Sequence, residues 1–113
     1  MKLPSLTNKA IRAYVEALPP DEPVGRCKDP QRCLIARYIE AAIGPRRTAR
    51  RYITVSVYHI DVYEWDDNWE TKTELRRRPS AALQDLIQRF DALPMPMPLP
   101  ADVLPIFDKE ART

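Results

Sequence analysis

Proline stands at twelve of the 113 positions and glycine at only two, and this imbalance constrains the fold more than any other feature. A proline inside a helix removes a hydrogen bond and clashes with the turn before it, so each proline marks a boundary. Pro19-Pro20, Pro30, Gly44-Pro45 and Pro79 divide the chain into segments of helix or strand length. In Pro94-Met95-Pro96-Met97-Pro98-Leu99-Pro100 proline occupies alternate positions. That spacing excludes helix and favours a polyproline II rod, about 22 Å long at ~3.1 Å per residue.

Between these breaks the apolar spacing sets the elements. Leu6, Ala10, Ile11, Tyr14, Val15 and Leu18 recur at helical spacing behind a Thr7 or Asn8 cap, which predicts a first helix over 7–18. Asp29 as cap and Pro30 in the first helical position predict a second helix, running to Ile43 and stopped by Gly44-Pro45. Cys33, Leu34, Ile35, Ala36, Ile39, Ala42 and Ile43 make it apolar round much of its circumference, as a central helix is. Ser80 to Leu93 predicts a third, with Leu83, Leu86, Ile87, Phe90 and Leu93 on its buried stripe.

From Arg51 to Trp65 the chain turns β-branched and aromatic, with Ile53, Val55 and Val57 alternating with Tyr52, Thr54 and Ser56. This predicts one long strand, a turn at Asp66-Asp67-Asn68, and a return strand over Trp69 to Leu75. Such a hairpin places Ile53, Val55, Val57, Tyr63, Trp65 and Trp69 on one face and Tyr58, Ile60 and Val62 on the other. Either both faces are partly covered, or a bulge near Tyr58 switches the pattern. Two strands alone are marginal in water. A third strand is therefore expected, from the extended piece Val24 to Cys27 or from a second copy of the chain. The predicted fold class is α+β: two N-terminal helices, an antiparallel hairpin with room for a third strand, a third helix and a proline-rich C-terminal tail. Residues 1–93 form the single domain, and 94–113 the tail that docks on it through Leu99, Val103, Leu104, Ile106 and Phe107. The alternative for its Pro-Met repeat is a ligand for an aromatic groove on a partner.

Apolar residues make up 44% and charged residues 30%, as in an ordinary globular domain. A net charge of +2 is unlike a strongly basic nucleic-acid binder or an acidic mimic of one. No apolar run approaches the ~20 residues that span a bilayer. Met1-Lys2-Leu3-Pro4 leads into polar residues without the apolar core of a secretory leader. A cytoplasmic location with reduced cysteines is the expectation, and no membrane partner.

The chemistry-bearing residues are few. Cys33 near a helix N-terminus, with His59 as the sole histidine, has the makings of a thiolate–imidazole pair. The blander reading, a small core cysteine and a locally bonded histidine, is preferred, because no oxyanion device accompanies them. Cys27 and Cys33 lack the two-residue spacing of a zinc knuckle; a Cys₂His site, a disulfide and two unpaired thiols remain, the last being the default. Asp61, Glu64, Asp66, Asp67 and Glu70 lack the spacing and glycine of a calcium loop and read as a solvated hairpin tip, offset by Lys72.

Arginine supplies the leading binding feature. Arg46, Arg47, Arg50 and Arg51 precede the first strand, and Arg76, Arg77 and Arg78 follow the second. In the predicted hairpin both groups lie at one open end of the sheet, opposite the acidic tip, where they suit phosphates or an acidic protein. A solvated surface is the competing reading. Tyr52, Tyr58, Tyr63, Trp65 and Trp69 are expected to pack under the helices, with any exposed subset, Trp65 and Trp69 foremost, acting as interface anchors.

Leu18-Pro19-Pro20, Val24-Gly25 and Cys33-Leu34-Ile35-Ala36-Arg37-Tyr38-Ile39 together resemble a pattern in short bacterial proteins. Those proteins place a Val-Gly pair before a Cys-Pro-Leu-Ala-x-Tyr-like helix start, then a strand and a closing amphipathic helix ending near Phe-x-x-x-Asp. Here position 34 is Leu where that pattern has Pro, and the third helix carries Phe90-Asp91. The resemblance spans roughly residues 14 to 93 and implies a similar fold without implying an activity.

The functional expectation is a non-catalytic binding or regulatory module acting on another macromolecule, a protein first, through the Arg-rich end of the sheet. Nucleic-acid binding through the same cluster is the alternative, and a Cys33-dependent enzyme the third reading. No cofactor or metal is expected. Monomer and homodimer both fit.

Overall fold

Helices form where the proline breaks leave room for them. The computed structural model describes residues 2–44 and 50–110, by backbone alone over 71–73 and 109–110. The first helix, α1 (Asn8–Glu16), begins where the Thr7 hydroxyl accepts the Ala10 N–H at 3.2 Å. The second, α2 (Leu34–Ile43), starts later than the sequence predicts. The Asp29 carboxylate does accept backbone N–H groups, from Gln31 at 3.0 Å and Arg32 at 3.2 Å. Those bonds close a separate turn, and Cys33, extended at ψ 172°, becomes the residue that caps the helix. Gly44, at φ +77°, ends α2 in a conformation that a side chain would strain.

The sheet departs most from expectation. The stretch read as one strand folds back on itself, giving β1 (Arg50–Val55) and β2 (Ile60–Trp65); β3 (Thr71–Arg77) completes an antiparallel meander in the order β1-β2-β3. Ser56 makes the reversal. Its N–H donates to the His59 carbonyl at 2.9 Å, and its hydroxyl accepts the N–H groups of Tyr58 at 3.2 Å and His59 at 3.1 Å. The third strand therefore comes from within the predicted long one. The piece over 24–27 does not join the sheet. Val24 N–H donates to the Pro98 carbonyl at 3.0 Å and Cys27 N–H to that of Pro96 at 2.9 Å.

The turn also resets which residues share a face. Val55 pairs with Ile60, Ile53 with Val62 and Arg51 with Glu64 on the inner side. Thr54 pairs with Asp61, Tyr52 with Tyr63 and Arg50 with Trp65 on the outer side. Ile60 and Val62 thus join Ile53 and Val55 within the core, and the rings of Tyr63 and Trp65 point away from it. This corrects the face assignment drawn from an unbroken strand, because a tight turn replaces the proposed bulge.

After β3 comes α3 (Ala81–Asp91), capped by the Ser80 hydroxyl on Leu83 N–H at 3.2 Å. The proline run bends over 93–97 and so is no straight rod. It leads into α4 (Pro100–Glu110), where Pro100 takes the first helical position and Asp102 reaches back to the Leu99 N–H at 2.9 Å. Val103, Ile106 and Phe107 of α4 belong to the same buried cluster as Ile11, Leu34, Phe90 and Val62. Each side chain of this size withdrawn from water contributes about 1.5–3 kcal/mol. All four helices share that cluster with the inner face of the sheet, so the outer face is left to solvent. Among the described residues, no helix is long and apolar enough to cross a membrane.

Candidate functional site: the outer face of the sheet

The strand period of two puts alternate residues on the outer face, and here they are aromatic. Tyr63 and Trp65, two apart on β2, stack with ring centroids 5.7 Å apart and 15° between planes. Tyr52 on β1 lies 6.4 Å from each of them. Trp69, in the β2–β3 turn, extends the row at 6.5 Å from Trp65. The Arg50 guanidinium covers the Trp69 ring at 3.9 Å from its centroid. Tyr63 and Trp65 are half-buried; Tyr52 is 38% and Trp69 64% exposed. The packing of these rings under the helices, expected from the sequence, is therefore overturned. Tyr58 lies apart from them, in the turn at the other end of the sheet.

Trp69 is also held in a conformation unusual for its size. Its N–H donates to the Asp66 carbonyl at 3.1 Å, and the Asp66 carboxylate accepts the N–H groups of Asn68 and Glu70, each at 2.9 Å. This turn places Trp69 at φ +64°, the left-handed region where hairpins ordinarily use glycine or asparagine. For a bulky residue that conformation costs about 1–2 kcal/mol.

The described arginines of the two clusters do not gather. Three antiparallel strands put the start of the first and the end of the last at opposite ends, and the register places Arg50 beside Trp65 and Arg77 beside Ile60. Arg50 and Arg51 are thus at the aromatic turn, and Arg76, Arg77 and Arg78 at the far end. Arg46 and Arg47 lie outside the described residues. The single Arg-rich end expected from a two-stranded hairpin does not form among the described arginines, because the Ser56 turn adds a reversal. Arg51 points inward, where it meets Glu64 at 3.2 Å with side-chain exposures of 9% and 7%, and donates to the Gly44 carbonyl at 2.8 Å. Arg76 donates to the buried Asp61 at 2.6 Å. Arg77 and Arg78 are exposed beside the start of α3, lining a groove of about 470 Å³ with Leu3, Leu6 and Leu83.

Of the residues predicted to bind, Arg50, Trp65 and Trp69 are brought together. Tyr52 and Tyr63 belong with them and were recognised only as part of the aromatic set. What places them is the reversal at Ser56, which in the sequence fits the strand alternation and so gives no distinct signal.

The acidic residues are similarly dispersed. Glu64 and Asp61 answer arginines, and Asp66 organises the turn. Among the described residues, no group of three or more His, Cys, Asp or Glu side chains is placed to hold a metal. Cys27 and Cys33 are free thiols. Cys27 donates to the Phe90 carbonyl at 3.1 Å. The backbone N–H groups of Ala36 and Ile35 at the start of α2 favour a Cys33 thiolate, but burial outweighs them and pushes its pKa up to about 11. His59 is exposed in the Ser56 turn. Two pH units mean that native Cys33 at pH 7.5 is expected to alkylate with iodoacetamide about a hundredfold more slowly than in urea. Equal rates in the two states would refute a sequestered thiol. The sign for stability follows directly: the unfolded thiol, near 9.0, releases its proton before the folded one at about 11. Its contribution is intact below pH 9 and fades as pH climbs through that window, by roughly 2–3 kcal/mol.

Comparison with known proteins finds no matching family model, no matching curated protein and no matching solved structure. The geometry of the outer face stands as the basis for a functional reading.

Proposed function

We propose that the chain is a non-catalytic binding module that regulates or blocks another protein, docking through the outer face of its sheet. The observation that carries this reading is Trp69, a large exposed ring held at φ +64° where glycine would fit without strain. Strain retained at a solvent-facing aromatic points to a role outside folding. The ring row beside it offers the wide, rigid anchors that protein interfaces favour.

Nucleic-acid binding is the second reading, favoured by Arg50 beside exposed rings that can stack on bases. Less supports it: Arg51 and Arg76 answer buried carboxylates, and Arg77 and Arg78 sit at the other end of the sheet. A phosphate backbone calls for a continuous track of cations.

The test is capture from native extract after nuclease treatment, using the full chain and two variants. A discrete protein should be retained by wild type and by Arg77→Ala/Arg78→Ala, and lost with Trp69→Gly/Tyr52→Ala. Trp69→Gly should fold: relief of about 1–2 kcal/mol of strain offsets a lost ring pair of about 0.5–1.5 kcal/mol and a cation–π contact of about 0.5–1 kcal/mol. Retention by the aromatic double variant would overturn the site. A complex that disappears with nuclease would move support to the second reading.

A further inference from the structure

At the end of the sheet away from the aromatic turn, we infer a second binding site, independent of the first: a groove that takes an acidic, leucine-bearing segment of a protein partner. Arg12 meets Asp108, Arg32 meets Asp29, Arg51 meets Glu64, Arg76 meets Asp61 and Arg89 meets Asp85. Arg77 and Arg78 are both exposed and meet no carboxylate among the described residues.

These two guanidinium groups are the charged groups in the lining of the groove of about 470 Å³, whose apolar walls are Leu3, Leu6, Pro79 and Leu83. That volume falls in the ~300–1,000 Å³ range of ligand sites. Both walls are held in place. The Tyr38 hydroxyl donates to the Ser5 carbonyl at 2.5 Å, and Gln84 Nε2 to the Pro79 carbonyl at 3.1 Å. The charge around the groove has one sign. Segments 2–9 and 77–84, which form it, carry Lys2, Lys9, Arg77 and Arg78 and no Asp or Glu. The carboxylates that follow or precede them lie elsewhere: Asp85 answers Arg89, and Glu74 and Asp61 are on the outer face, where Asp61 answers Arg76. Arginine forks suit carboxylates, which they grip through two parallel bonds. The leucine walls call for an apolar side chain beside that charge. No aromatic ring lines the groove for a nucleobase to stack on, so a peptide fits it better than a nucleic acid.

The test is fluorescence anisotropy of a labelled eight-residue peptide of leucine, glutamate and serine, titrated with the full chain. Two counterparts replace every glutamate by lysine or every leucine by serine. The leucine–glutamate peptide should bind at least tenfold more tightly than either. Raising salt from 50 to 300 mM should weaken it several-fold. Arg77→Ala/Arg78→Ala, with an unchanged circular dichroism spectrum, should lose at least tenfold, and Arg77→Glu/Arg78→Glu should reverse the preference to the lysine peptide. Trp69→Gly/Tyr52→Ala should bind as wild type does, which sets this site apart from the aromatic face; loss with that variant overturns the placement. No binding of the acidic peptide, equal binding of all three, or unchanged affinity in the alanine variant overturns the inference. Tighter binding of a twelve-nucleotide thymidine strand or of myristate overturns the choice of a peptide. None of these results touches the outer-face reading, whose own test leaves Arg77 and Arg78 dispensable.

Discussion

Replacing Glu64 by glutamine is expected to remove about 3–5 kcal/mol of stability, lowering the melting temperature by roughly 10–20 °C. The Arg51–Glu64 pair faces the core across adjacent strands, with little of either side chain reaching water. Taking both charges out of water is unfavourable, and their mutual attraction, with the Arg51 bond to Gly44, works against that cost. Removing the carboxylate's charge takes the Glu64 counter-charge from a buried guanidinium that stays held to Gly44. Two comparisons separate this from a general sensitivity of the sheet. Glu74→Gln, exposed on the neighbouring strand, should change stability by less than about 0.5 kcal/mol. Arg51→Met/Glu64→Leu should recover most of the loss, since a buried pair is often replaceable by well-packed apolar groups. Urea unfolding monitored by tryptophan fluorescence measures all three. A Glu64→Gln variant within about 1 kcal/mol of wild type would show that the pair is hydrated.

Gly25→Ala should be comparably harmful, losing about 2–3 kcal/mol, for a different reason. A methyl group there would meet Leu34 N at 2.7 Å, the Cys33 carbonyl carbon at 2.8 Å and Arg32 O at 2.9 Å. All three are backbone atoms, so no rotamer change relieves the contact. The start of α2 would have to move, breaking the Arg26 N–H bond to the Arg32 carbonyl, now 2.8 Å. Gly44→Ala provides the contrast. Its methyl meets nothing within 4 Å, but the residue sits at φ +77°, so the loss should be the conformational one alone, about 1–2 kcal/mol. If both alanine variants unfolded at the same urea concentration as wild type, close approach at Gly25 would be disproved.

How far the sequence reaches differs from element to element. The first three helices are legible because their caps and breaks act locally: Thr7 and Ser80 cap α1 and α3 as hydroxyls should, and Gly44 closes α2, whereas the expected tail over 94–113 holds a fourth helix, α4, that the proline count hides. Asp29-Pro30 carried the same kind of signal and misled by four residues, because an aspartate cap serves an isolated turn as well as a helix. The strands were harder. Composition marked Arg51 to Trp65 as extended but could not reveal that Ser56 reverses it, since the polar residue fits the alternation equally well. That one turn decides which aromatic rings meet water. The candidate site was consequently seen as a set of residue types before it could be seen as a surface. The arginine end was read from a two-strand count, and a third strand moved Arg76, Arg77 and Arg78 to the opposite extremity. The strain at Trp69 had no sequence signature at all, because left-handed backbone at a tryptophan is set by the bonds Asp66 makes around it.

The clasp between residues 24–27 and 96–98 bears on the order of events during synthesis. Arg26 and Met97, 71 positions apart, touch across it, and Val103, Ile106 and Phe107 wall the interior behind it. A nascent chain leaving the ribosome amino-terminus first holds its meander and early helices without that wall. Their oily surfaces stay uncovered until α4 clears the exit tunnel. Closure over so long a loop is slow compared with forming a single helix. Chaperone dependence should thus concentrate in the interval before α4 emerges, and translational pausing just ahead of α4 should harm this chain more than earlier pausing.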